Sequence, residues 1–303
     1  MARVHPVGVF APVATTFGSD GELDLAHFAS NLRWYAESAL DGVAIMGSNG
    51  EYVSLTPKEK LQLIETGVKA IDGRKKVVAG TGVESTRGSI ELTKQAAELG
   101  ADFALVVTPY YYKPRYDKTA YVRHYHAIAD ASPIPVMIYV MAAYTGVDLP
   151  VDTVVEIAQH PNIVGIKDSG GNAPKVGELV ARTPDDFSVF AGSANFLYAA
   201  LCLGGKGGIL ALGNVAPTEC AQIVRLFEQG DHTAALSLQQ QMLAPNAAVT
   251  SQFGIAGLKA AMDMVGLFGG DPRPPLLPAT DAERSKIKEI MERAGVLDRA
   301  SAV

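Results

Sequence analysis

Residues 162–171 read NIVGIKDSGG. Ile163, Val164 and Ile166, gathered around Gly165, form a short apolar run of the kind that makes a buried strand. The run stops on Lys167 and passes at once into Ser169 and two glycines, which are turn-forming residues. What surrounds this stretch explains why a buried strand should end on a lysine.

Outward from it, the same form recurs: VGVFAPV, GVAIMGS, KVVAGTG, DFALVVTP and PVMIYV precede it, and FSVFAGS and GGILALGN follow. Between the runs lie segments with helical spacing, among them PKEKLQLIETGVKAI and GSIELTKQAAELGA. Strands alternating with helices argue for a parallel sheet, and runs that are apolar throughout fit strands covered on both faces. Eight such units without a linker point to an α/β fold of the (β/α)8 or TIM-barrel type, with a doubly wound open sheet as the competitor. Residues 1–229 are assigned to the barrel. Residues 230–303 hold three further helical patterns and the proline-rich DPRPPLLP, and are read as a C-terminal helical appendage packed on the barrel's side.

In such a barrel the site lies where the strands end and the strand-to-helix loops gather. That rule singles out Ser48 and Asn49 in GSNGE, the TPYYYKP segment, Tyr139, Lys167, GSAN and GNVAP. Burial at a barrel mouth disfavours the ammonium form of a lysine, and the neutral amine can then attack a carbonyl to form a Schiff base. Tyr139 ends the preceding strand, stands beside Lys167 and can shuttle protons. The GSNGE turn offers donors for a carboxylate, although a plain tight turn accounts for it equally well.

Composition narrows the field. The chain of 303 residues is 48% hydrophobic and 19% charged, with a formal charge of −6 and no concentrated basic patch, so nucleic acid and anionic membrane are not expected partners. The N-terminal stretch reads as a first strand rather than a targeting peptide, and no apolar run is long enough for a membrane span, giving a cytoplasmic expectation. Cys202 and Cys220 have no metal-ligand or CxxC spacing and read as buried core thiols of a reducing compartment. The glycines around Lys206 lack the order of a phosphate loop and read as packing residues. His124 and His126 lie two apart and do not share a helix face. No metal and no cofactor are expected.

Lys167, Tyr139, GSNGE and VVTPYYYKP together resemble the dihydrodipicolinate synthase and N-acetylneuraminate lyase family of class I aldolases, from about Val7 to Gly295. Within it the chain is most similar to the 4-hydroxy-2-oxoglutarate aldolases, on ASPIPV, TGVDLPVD, QHPNIVGIKDSGG, AGSANFL, PNAAVTSQFGIAGLK and PRPPL. The resemblance implies a lyase that cleaves 4-hydroxy-2-oxoglutarate to pyruvate and glyoxylate. It implies that Lys167 forms the imine with the 2-oxo acid, that Tyr139 relays protons, and that Ser48 and Asn49 hold the carboxylate, Ser48 continuing the relay. Ser169, Gly192 and Ser193 then face the substrate. Tyr111 completes the relay from the adjacent subunit of a homodimer or homotetramer.

Two positions depart from the family pattern. Ala142 stands where the family usually has proline. Tyr144 stands where the synthases that make dihydrodipicolinate place an arginine for the second substrate's carboxylate, so 4-hydroxy-tetrahydrodipicolinate (dihydrodipicolinate) synthase is kept as the alternative, beside a sugar-acid aldolase or dehydratase. Outside the class, the remaining readings are a phosphate-binding barrel isomerase and a catalytically silent keto-acid sensor.

Overall fold

Each apolar run becomes a strand. The computed structural model describes residues 5–297, and it orders the strands as β1 (Gly8–Pro12), β2 (Gly42–Ile45), β3 (Lys76–Gly80), β4 (Phe103–Val107), β5 (Val136–Val140), β6 (Ile163–Asp168), β7 (Ser188–Ala191) and β8 (Gly207–Ile209). All neighbours pair in parallel and β8 returns to β1, which gives a closed eight-stranded barrel and excludes the open sheet. Closure needs glycine at the seam: Gly207 has φ +134, and a Cβ there would lie 1.9 Å from the carbonyl oxygen of Gly8. The glycines beside Lys206 therefore serve packing.

The connecting helices follow from local signals. Helix Pro57–Ile71 starts on a capping box between Thr56 and Glu59, has proline in its first turn and ends at Asp72 with φ 51. The helix expected within residues 88–101 spans Thr86–Glu98 instead, because Ser85 accepts from the Gly88 N–H and starts it earlier.

Along the strands, side chains alternate between two apolar layers. Phe10, Phe103, Leu105, Met137, Val164, Phe190 and Ile209 fill the barrel interior, with Phe10 and Phe190 packed edge to face at 5.9 Å. Val9, Val43, Val106, Ile138 and Val189 face the helices and join a second, larger core.

One expectation is corrected here. Cys220 is buried, but Cys202 is exposed: it ends helix Leu197–Cys202, whose apolar face is carried by Leu197, Ala200 and Leu201. The segment after residue 229 does more than cover the barrel's side. Helices His232–Gln241 and Leu243–Ala247 lead into a π-helical turn, Ala248–Gln252, and helix Gly254–Met264, and these two elements reach the mouth of the barrel. Helix Asp281–Arg293 follows.

Candidate active site

The orientation of Lys167 depends on an irregularity in its strand. On β5, Met137 and Tyr139 face the interior while Val136, Ile138 and Val140 face the helices. On β6, Ile163 faces the helices and Val164 the interior, and strict alternation would then turn residue 167 outward. A register shift intervenes: Val136 pairs with Ile163, but Met137 pairs with Gly165. The extra residue resets the phase, so that Ile166 faces the helices and Lys167 stands opposite Tyr139 with its Nζ 4.2 Å from the phenol ring centroid. Glycine is required at the bulge, where a Cβ on Gly165 would sit 2.5 Å from the Ser188 carbonyl oxygen.

Lys167 is buried, at 3% exposure, in the floor of a cavity of about 540 Å³ at the strand ends. Tyr139 lines the same cavity, and its hydroxyl is 3.0 Å from Ser48 Oγ. Ser48 and Asn49 lie in a 3-10 turn, Ser48–Gly50, immediately after β2. Asn49 Nδ2 and Ser169 Oγ are buried without a hydrogen-bond partner among the described residues, and both residues line the cavity. Unsatisfied buried donors and hydroxyls converging on one space are what a small polar ligand would satisfy.

Gly192 and Ser193 form the next part of the wall, Gly192 N–H donating to the Asp168 carbonyl and Ser193 Oγ accepting from Asn246 Nδ2 at 3.2 Å. Tyr144 stands at the rim on the short helix Ala142–Thr145, which Ala142 opens. Desolvation, and then Tyr139, push the Tyr144 phenol above its usual range. Tyr52, on the loop beyond Ser48, is likewise pushed up by burial and by Tyr110 and Tyr139. These phenols hold their protons at neutral pH.

One expected residue is not brought to the site by the single chain. Tyr111 is 72% exposed, lies edge to face against Tyr112, and does not line the cavity. By contrast, Asn195, in the GSAN stretch singled out above, lines the cavity, and so do Thr250, Ser251 and Ile255, which were not anticipated. The last three come from the C-terminal extension, and no local pattern in that segment signals a site. The bulge did leave a trace, since a glycine inside a β-branched run marks one. Among the described residues, Lys167 is the single cation that lines the cavity. Among the described residues no group of three or more His, Cys, Asp or Glu is placed to hold a metal ion, and no helix is long and apolar enough to cross a membrane.

A buried lysine at a barrel mouth, faced by a tyrosine that is hydrogen-bonded to a serine, defines a class I aldolase-type lyase working through a lysine Schiff base. The chain belongs to the Dihydrodipicolinate synthetase family, which it matches over residues 5–294. It is 36% identical over 284 residues to a 4-hydroxy-tetrahydrodipicolinate synthase of Exiguobacterium sibiricum, covering 94% of this chain and 96% of that protein. Among solved structures, dihydrodipicolinate synthase from Bacillus anthracis superposes with a TM-score of 0.91 at 32% identity, covering 95% of this chain and 99% of that one. The chloride-inhibited dihydrodipicolinate synthase from Acinetobacter baumannii complexed with pyruvate gives 0.91 at 31% identity, covering 96% and 99%. The finer likeness to 4-hydroxy-2-oxoglutarate aldolase gains no support from these relatives.

Proposed function

We propose that the protein holds pyruvate as an imine on Lys167 and joins the derived enamine to an aldehyde, the reaction type of 4-hydroxy-tetrahydrodipicolinate synthase. The observation that carries the chemistry is the buried Lys167 facing Tyr139, itself 3.0 Å from Ser48 Oγ. The choice of reaction is supported by the likeness to 4-hydroxy-tetrahydrodipicolinate and dihydrodipicolinate synthases and by the pyruvate bound to the Acinetobacter enzyme. Lys167 Nζ attacks the C2 ketone and water leaves. The protonated imine then draws electrons from C3, which loses a proton and attacks the aldehyde carbon. Tyr139 and Ser48 carry protons to the carbinolamine and to the new alkoxide, Asn49 and Ser48 hold the carboxylate, and Ser169, Gly192 and Ser193 face the incoming partner. Hydrolysis of the imine frees Lys167.

One observation favours a second reading, retro-aldol cleavage of 4-hydroxy-2-oxoglutarate to pyruvate and glyoxylate. Tyr144 replaces the arginine that would pair with the second substrate's carboxylate, and among the described residues no cation other than Lys167 lines the cavity. The seven carbons of the synthase product less the three of pyruvate leave a four-carbon amino-acid aldehyde, aspartate 4-semialdehyde. Assays with this aldehyde plus pyruvate, and separately with 4-hydroxy-2-oxoglutarate, distinguish the two readings by their kcat/KM.

Borohydride reduction in the presence of pyruvate, followed by peptide mapping, is expected to place a stable adduct on Lys167. Lys167→Ala is expected to lose both adduct and turnover. An undiminished rate in that variant would defeat the mechanism.

A further inference from the structure

Glu51 closes the GSNGE turn in a conformation that L residues rarely adopt, with φ +53, between the 3-10 turns Ser48–Gly50 and Tyr52–Ser54. Its N–H donates to the Ser48 carbonyl at 3.0 Å, so the backbone of Glu51 and that of Ser48 move together. Gly50 is held from the other side, its carbonyl accepting from Thr15 Oγ1 at 2.7 Å.

The Glu51 carboxylate is fully buried and lies 2.8 Å from Lys259 Nζ, on helix Gly254–Met264 of the C-terminal extension. Lys259 is 1% exposed, also donates to the Asp271 carbonyl at 2.9 Å, and rests 4.7 Å over the Phe17 ring. The second carboxylate oxygen of Glu51 accepts from the Arg273 N–H at 2.8 Å. A buried ion pair is poor evidence of added stability, because desolvation offsets much of its attraction. Breaking one partner, however, is strongly disruptive, which suits a device that holds a conformation. Neither residue lines the cavity.

We propose that Glu51 and Lys259 are positioning residues: their buried ion pair, spanning from the loop after β2 to the C-terminal extension, holds Ser48 and Asn49 in place for the 2-oxo acid carboxylate and for the hydrogen bond to Tyr139. The inference rests on the keto-acid reading above. The extension thereby acts on the chemistry through the turn it grips, as well as through the residues it lends to the cavity wall. Lys167 stands on β6, and its own placement does not depend on this tether.

The test uses the full-length protein, first confirming the pyruvate adduct on wild-type Lys167. Failure there would overturn the keto-acid reading and with it the role proposed for the tether, whereas trapping in the wild type followed by an unchanged variant would overturn the tether alone. The variants are then the double substitution Glu51→Gln with Lys259→Met, which removes both buried charges together, and Glu51→Asp, which keeps both charges and shortens the reach by one methylene. In protein shown to be folded by its melting transition, the KM for pyruvate is expected to rise by about ten- to a hundredfold. The fraction of Lys167 trapped at saturating pyruvate is expected to stay at the wild-type level. A folded variant of either kind with an unchanged KM for pyruvate would overturn the proposal, as would a loss confined to thermal stability.

Discussion

The proton relay proposed for Tyr139 is separable from the nucleophile. The Tyr139 hydroxyl meets Ser48 Oγ at 3.0 Å while Lys167 Nζ lies over its ring. Tyr139→Phe retains the ring and the packing and removes the transferable proton, so turnover is expected to fall by about 10²–10⁴-fold. Borohydride trapping of pyruvate should still label Lys167, more slowly. Rapid quench and mass spectrometry read the two effects separately. The titration of His124 bears on the stability of the fold. It is buried at 6% exposure, shares a hydrogen bond with Thr86 Oγ1 through Nδ1, and is held neutral by desolvation, which lowers its pKa from 6.5 to about 4. Because the folded pKa is the lower one, the unfolded chain takes up the proton first on acidification. Stability present above pH 6.5 is therefore lost as pH falls toward 4, by on the order of 3 kcal/mol. Melting temperature followed across that window should drop, and His124→Gln should flatten the dependence.

At the scale of elements, β6 and its bulge decide whether the barrel has a site at all. The alternation of Ile163 and Val164 alone would send Lys167 toward the helices, and the extra residue opposite the Val136–Met137 step turns it inward. Gly165→Ala places a methyl 2.5 Å from the Ser188 carbonyl oxygen, which forces β6 and β7 apart. The expected cost is about 1–3 kcal/mol by thermal melting, with a fall in pyruvate trapping at Lys167 greater than that loss of folded protein explains. Much at this scale was legible in the chain. Apolar runs bounded by turn residues marked every strand, and Thr56, Pro57 and Glu59 marked the start of a helix, because capping and burial act over a few neighbouring residues. The bulge was legible only as a glycine out of place, since its effect lies in the pairing with β5.

At the scale of the whole molecule, the C-terminal extension contributes to the site. Thr250, Ser251 and Ile255 complete the cavity wall, and Asn246 Nδ2 donates to Ser193 Oγ. Tyr111 and Tyr112, by contrast, are 72% and 63% exposed on the loop after β4, a costly arrangement for two neighbouring aromatic side chains in water. We propose that they are covered in a homodimer, in which Tyr111 completes the partner's relay. Sedimentation is expected to find a dimer or a tetramer, and Tyr111→Ala is expected to shift it toward monomer and to lower turnover. A fully active wild-type monomer would contradict this.

The sequence by itself determined the eightfold alternation of strand and helix, the end of the barrel at which polar residues gather, and the placement of Lys167 and Tyr139 at neighbouring strand ends. Periodicity, capping and turn chemistry are properties of neighbouring residues and can be read in order along a chain. The tertiary structure decided the inward aim of Lys167, the exposure of Cys202, the wall contributed by residues 249–255 and the burial of Lys259 against Glu51. Those depend on which distant segments the closed barrel brings into contact, and buried polar groups take their partners from that packing rather than from their neighbours in the chain.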